Sequence, residues 1–226
     1  MLKTADKDVF VDLHNSWRSK AATGQLTGNK KAKILNLMQW DNELEKSAKA
    51  YADLCNYQHS SEVGHSILPY TYGENLALTN QQMNTTYVIE WANNAWAEEH
   101  VDFDHDTLEC TPRKKCGHYT QMVWESSIRI GCAVSVCSEI NAPEEELDGM
   151  AAMYVVCHYF PPGNFRGNPP YEYDGKDLVS TSQKAKTDYY PDQSKSNPNQ
   201  IPVSQQLNIC SEDTSRSYTK KRCKNF

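Results

Sequence analysis

Glu99 is the residue whose position most needs a chemical explanation. It follows Val88, Ala92 and Ala95 at intervals of eleven, seven and four residues, so on a helix it shares their apolar face. A carboxylate there is costly unless it is paired or wet. Glu98, one step away, points toward the polar side with Asn94. The natural partners for Glu99 are histidines. His59 stands one turn after Cys55, on the apolar stripe of an earlier helix. His118 opens the segment Gly117-His118-Tyr119-Thr120-Gln121-Met122-Val123-Trp124. A second carboxylate, Glu74, lies in Gly73-Glu74-Asn75-Leu76, where the glycine suggests a tight turn. The chain has no HExxH or GxSxG, and its even cysteine count argues against a free nucleophilic thiol, so metalloprotease, hydrolase and thiol-enzyme chemistries lack their usual signatures.

The elements that must position these groups follow from periodicity. Val9, Phe10, Leu13 and Trp17 predict a helix over 6–20, ended near Gly24. Asp41 is an N-cap for a second helix with the stripe Leu44, Ala48, Tyr51, Ala52 and Cys55. A third helix is expected over 86–101, with Val88, Trp91, Ala92, Ala95 and Trp96 on one face. Ile128, Ile130, Cys132, Val134 and Val136 alternate as in a half-buried strand. Residues 150–159 are nearly all apolar, as in a central strand covered on both faces. Helices flanking a small sheet predict an α/β fold built as a three-layer α-β-α sandwich. His158 reads as a satisfied core histidine, His14, Asn15 and Arg18 as a helix motif tying loop backbone, and His100 and His105 as solvated side chains.

Composition bounds the rest. The formal net charge of -6 argues against nucleic acid, and basic runs are too sparse to grip an anionic membrane. No apolar stretch reaches the ~18 residues of a transmembrane helix. Eight cysteines without a CxxC pair predict up to four disulfides and a secreted, extracellular protein. Asn84-Thr85-Thr86 is a glycosylation sequon. Met1 has no apolar leader behind it, as expected of a mature chain whose signal peptide is absent. Residues 1–172 read as one domain. Residues 173–226 carry nine basic and six acidic residues and only seven of Leu, Ile, Val and Phe. Such a segment buries too little to offset chain entropy and is expected to be an extended, loop-rich strap, with Cys210 and Cys223 joined to each other.

Four segments together resemble the CAP superfamily of cysteine-rich secretory, antigen 5 and pathogenesis-related-1 proteins. They are His14-Asn15-Ser16-Trp17-Arg18, Gly73-Glu74-Asn75-Leu76, Gly117 to Trp124, and Tyr154 to Phe165, in the family's order. The match spans roughly 6–172 and looks closest to the venom-allergen-like proteins of parasitic worms. The resemblance implies a cleft lined by His59, Glu74, Glu99 and His118. His65 is an alternative to His59, since it lies nearer to Glu74. Two imidazoles with carboxylates nearby suit Zn²⁺ or another divalent cation, with water completing the shell. The same four groups could instead knit helices together without metal.

The resemblance also implies pairings Cys55–Cys132, Cys110–Cys116 and Cys137–Cys157. For function it implies binding of lipid rather than catalysis, as a carrier or scavenger, by two modes. A fatty acid could lie between the first and third helices, against Val9, Leu13, Trp17, Val88, Trp91, Ala92 and Ala95. A sterol could lie under the loop 103–110, which has only one aromatic. The alternative is an immunomodulator that docks a host extracellular protein; a metal-dependent hydrolase ranks last.

Overall fold

The computed structural model describes residues 1–61, 68–143 and 145–174. Its elements are α1 (Thr4–Thr23), β1 (Gln39–Trp40), α2 (Asn42–Ala52), β2 (Gly73–Thr79), α3 (Thr85–Glu98), a 3₁₀ turn (Glu99–Asp102), the short hairpin strands β3 (Phe103–Asp104) and β4 (Glu109–Cys110), α4 (Gly117–Met122), β5 (Arg129–Cys137) and β6 (Ala152–Phe160). The sheet runs β1-β5-β6-β2. β5 and β2 are antiparallel to β6, and β1 is parallel to β5.

Strand alternation divides β6 between two cores. Met153, Val155, Cys157 and Tyr159 pack with Phe10 of α1 and Val88, Ala92 and Trp96 of α3. Ala152, Tyr154 and Val156 pack with Ala48, Tyr51 and Ala52 of α2. All nine residues of β6 are buried, as its apolar run requires. The fold is therefore a three-layer α-β-α sandwich. At Gly131 on β5 a Cβ would stand 2.2 Å from the Glu45 amide nitrogen, so only glycine lets α2 lie this close to the sheet.

Local signals set the helix ends. Gly24 closes α1 with a left-handed φ of 73°. Asp41 caps α2 by accepting from the Glu43 and Leu44 amides at 2.8 and 3.1 Å. Asn84 caps α3 through the Tyr87 amide at 2.9 Å. Asn84 is exposed, so the sequon residue is also a cap. The His14–Arg18 motif does tie loop backbone. Arg18 is 0% exposed and donates to the carbonyls of Asn36, Met122 and Trp124. Burial lowers its guanidinium to about 9. Asn15 exchanges two hydrogen bonds with the backbone of Met38.

Several expectations are corrected. The disulfides are Cys55–Cys137, Cys110–Cys116 and Cys132–Cys157. Only Cys110–Cys116 agrees with the expected pairing; Cys55–Cys132 and Cys137–Cys157 are overturned. Cys132 and Cys137 are five apart on β5 and point to opposite faces. Cys132 faces the α1–α3 core, where β6 sets Cys157 directly opposite it. Cys137 faces the α2 core, where Cys55 is packed. The second helix ends at Ala52, so Cys55 and His59 lie beyond it. His105 is buried at 1% exposure rather than solvated. It is ringed by Phe103, Tyr171 and Tyr173 and bonded to Asn29 and Tyr171. His100 is half-buried against Trp17 and Tyr119. Gly73 opens a strand rather than a turn. Its missing Cβ makes room for the Gln121 side chain of α4, which would otherwise lie at 2.1 Å. His65 and the Cys210–Cys223 pairing lie outside the described residues.

Candidate cleft of two imidazole–carboxylate pairs

β2 is an edge strand, and its residues Glu74, Asn75 and Leu76 line a cleft of about 540 Å³. His59, His118, Tyr57, Lys115, Glu145 and Asn164 complete its walls. The structure places the four tetrad residues in two pairs, each with a different support.

In the first pair, His59 donates from Nδ1 to Glu74 Oε1 at 2.8 Å, because an ionised carboxylate can only accept. The Ser60 amide donates to the same oxygen at 2.9 Å. Glu74 Oε2 accepts from His158 Nε2 at 2.9 Å. Burial alone would raise the Glu74 carboxyl. The bonds from His158 and His59, the charge of His158 and the Ser60 amide outweigh it and hold the group at about 2.

In the second pair, His118 donates from Nδ1 to Glu99 Oε1 at 2.6 Å. Glu99 Oε2 accepts the backbone amides of His118 and Tyr119 at 3.0 and 3.2 Å. These are first-turn amides of α4 without an intrahelical partner, and the carboxylate satisfies them. Glu99 stands where α3 tightens into the 3₁₀ turn, not on a continuing apolar stripe. Trp96 of α3 stacks on the His118 ring, with centroids 6.1 Å apart.

α4 is fixed against both neighbours. Asn75 donates to the His118 carbonyl at 3.1 Å. Asn164, with φ 59°, donates to the Gly117 carbonyl and accepts from Thr120 Oγ1 at 2.8 and 2.7 Å. Tyr57 on the cleft wall is pushed up to about 12 by burial and by Glu145 and Glu99, so it stays a neutral phenol.

What the cleft offers chemically is therefore narrow. Both carboxylates spend their acceptors on imidazole and backbone N–H groups. Each neutral ring carries its proton on Nδ1, so Nε2 is the lone-pair nitrogen. Among the described residues no group of three or more His, Cys, Asp or Glu side chains could hold a metal ion.

The residues expected to form an acyl channel do something else. Val9 and Trp17 are half-buried against the core, Leu13 is half-buried, and Val88 and Ala92 are 0% exposed within the core. The buried face of α1 is one residue ahead: Asp6, Phe10, His14, Arg18 and Ala21. Trp91 and Ala95 line a groove on the outer side of α3 with Tyr87, Glu90, Asn94 and Glu98. A separate pocket of about 280 Å³ lies under the loop 103–110, lined by Phe103, Leu108, Trp124, Phe165, Pro170 and the Cys110–Cys116 bridge, among others. Sequence reasoning found the loop but not Trp124 and Phe165, which pack edge to face from other segments.

Comparison with known proteins gives a consistent result. The family profile described as CAP, cysteine-rich secretory protein family, matches residues 11–159. Mouse "Peptidase inhibitor 16" is 36% identical over 168 residues, covering 74% of this chain and 30% of that protein. Human "GLIPR1-like protein 1" is 34% identical over 168 residues, covering 73% of this chain and 62% of that protein. The chain thus spans less than two thirds of the length of these relatives. The structure of "NaASP2 with Zn2+" superposes with TM-score 0.63 at 30% identity, over 76% of this chain and 87% of that one. Schistosoma mansoni venom allergen-like protein 4 gives TM-score 0.59 at 26% identity, over 76% and 96%. With the profile match over residues 11–159 and the shared fold, the chain belongs to the CAP, or cysteine-rich secretory protein, family.

Proposed function

We propose that this protein is a secreted binder of hydrophobic ligands and that the ligand enters the pocket under the loop 103–110. The observation that carries this reading is the pocket's lining. Phe103, Leu108, Trp124, Phe165 and Pro170 present apolar surface around about 280 Å³. Burying apolar surface there contributes roughly 25 cal/mol per Å². A flat, rigid apolar body such as a sterol suits this open pocket better than an acyl chain suits an α1–α3 seam in which Val88 and Ala92 are fully buried. The disulfides support an extracellular setting, and no described helix is long and apolar enough to cross a membrane.

Organic extraction of the purified protein followed by mass spectrometry tests the reading, together with sterol and fatty-acid titration. A bound sterol or fatty acid, with affinity lowered at least tenfold by Leu108→Asp, supports it. An empty protein that binds neither class contradicts it.

A second reading concerns the cleft. Two imidazoles with Nδ1 occupied by carboxylates fit a divalent cation held through His59 and His118, with water filling the remaining positions. The similar NaASP2 structure is described with Zn²⁺. When bound, such an ion would supply Lewis acidity and positive charge to the cleft. Glu74 and Glu99 would orient the rings rather than ligate, since their oxygens are already engaged. Calorimetric Zn²⁺ titration of wild type and of His118→Ala tests it; wild type that takes up no Zn²⁺ refutes it.

A further inference from the structure

Glu74 has a partner outside the tetrad. His158 on β6 sits directly opposite Glu74 on β2. Its side chain is 0% exposed, and its Nε2 donates to Glu74 Oε2 at 2.9 Å. Its Nδ1 lies 3.1 Å from Ser47 Oγ on α2. Tyr72 stacks on the ring, with centroids 4.1 Å apart and planes 27° from parallel. A hydrogen-bonded line therefore runs from Ser47 through His158 and Glu74 to His59, from inside the α2 layer to the cleft.

We propose that His158 is a positioning residue for His59. By occupying Oε2 it fixes the carboxylate in the orientation in which Oε1 meets His59 Nδ1 and the Ser60 amide. His59 is then held as the Nδ1–H tautomer, with its lone pair on Nε2. This inference rests on reading His59 and His118 as the ligand-facing groups of the cleft. It also marks an asymmetry. Glu99 is held by backbone amides, so His118 needs no buried side chain behind its carboxylate. His59 is 47% exposed, and the carboxylate that meets its Nδ1 is itself held by the buried His158.

The experiment uses the full, disulfide-bonded chain with three substitutions. His158→Phe keeps a ring and removes both nitrogens. His158→Asn keeps a polar contact toward Ser47 but is too short for Glu74. His158→Gln can extend an amide N–H to where Nε2 stands. Long-range ¹H–¹⁵N correlation reads the tautomers of His59 and His118, and calorimetry reads Zn²⁺ affinity. We expect His158→Phe and His158→Asn to reduce the Nδ1–H share of His59, leave His118 unchanged and weaken Zn²⁺ binding about tenfold or more. His158→Gln should recover most of both. Should His158→Phe not fold, His158→Asn decides alone. A folded variant with the wild-type His59 tautomer overturns the proposal. Wild type without Zn²⁺ binding refutes the cation reading instead, and the tautomer comparison still decides on His158.

Discussion

The two halves of the cleft use the same pair of groups and anchor them differently. His118 and Glu99 are held by a helix start: the carboxylate takes two backbone amides of α4, which any sequence in that helix would supply. Glu74, which holds His59, is held in turn by the Ser60 amide and by a line of buried side chains, His158 on β6 and Ser47 on α2. The first half is anchored by backbone and the second by a buried polar network. Networks are strong when complete and costly when one member is lost. The halves should therefore respond unequally to the same substitution.

The largest difference is expected from removing each carboxylate. Glu74→Ala takes the carboxylate partner from the Nε2 of buried His158 and should cost about 3 kcal/mol in chemical denaturation. Glu99→Ala removes a helix-start acceptor whose side chain is less buried than that of Glu74 and should cost about 1–2 kcal/mol. Equal losses would break the comparison.

Acid unfolding sharpens it. The Glu74 carboxyl is lowered from 4.5 to about 2, so its contribution is fully present above pH ~4.5 and is lost as pH falls through about 2. Burial, aided by Arg18 and opposed by the Phe10 carbonyl bond, lowers His14 from 6.5 to about 3. The unfolded chain takes that proton first, so stability falls by about 1.4 kcal/mol per pH unit from pH 6.5 down to about 3. Wild type should show both losses and Glu74→Gln only the His14 part. Parallel curves below pH 4.5 would count against the network.

Gly73→Ala should disturb both halves together, because its Cβ would meet Gln121, which ties α4 to Ser127 and Gly163. We expect a loss of about 1–3 kcal/mol, seen as a lower unfolding midpoint. Ser47→Ala should be smallest, about 1 kcal/mol, and should leave His118 resonances in place.

Much of this arrangement was legible from the chain. The apolar run of β6, the caps Asp41 and Gly24, and the layered fold all follow from local pattern. Glu99 stood out because a carboxylate at an apolar helical phase needs a partner, although its actual place is at the end of α3. His59 was reached through a helix stripe that stops at Ala52, so the helix-face geometry that selected it is not what places it beside Glu74. His158 was read as a satisfied core histidine, and it is one. Its partner depends on the β2–β6 register, which sets residues 84 apart side by side and leaves no trace in local spacing. The disulfides are the opposite case. A separation of five positions between Cys132 and Cys137 on one strand already puts them on opposite faces, so strand parity carried the signal that the family pattern obscured. The seam residues of α1 were misplaced by one position because Asp6, His14 and Arg18 occupy the buried stripe, where apolar periodicity does not look for them.

The central claim is that both carboxylates act by holding imidazoles, so that the cleft presents two ring nitrogens rather than two acids. The direct measurement is the protonation of each ring nitrogen of His59 and His118 in the wild-type protein, read by ¹⁵N NMR at a pH where both rings are neutral. The account predicts Nδ1–H on both rings with the lone pair on Nε2. Nε2–H on either ring, or rapid averaging of both tautomers, would contradict it.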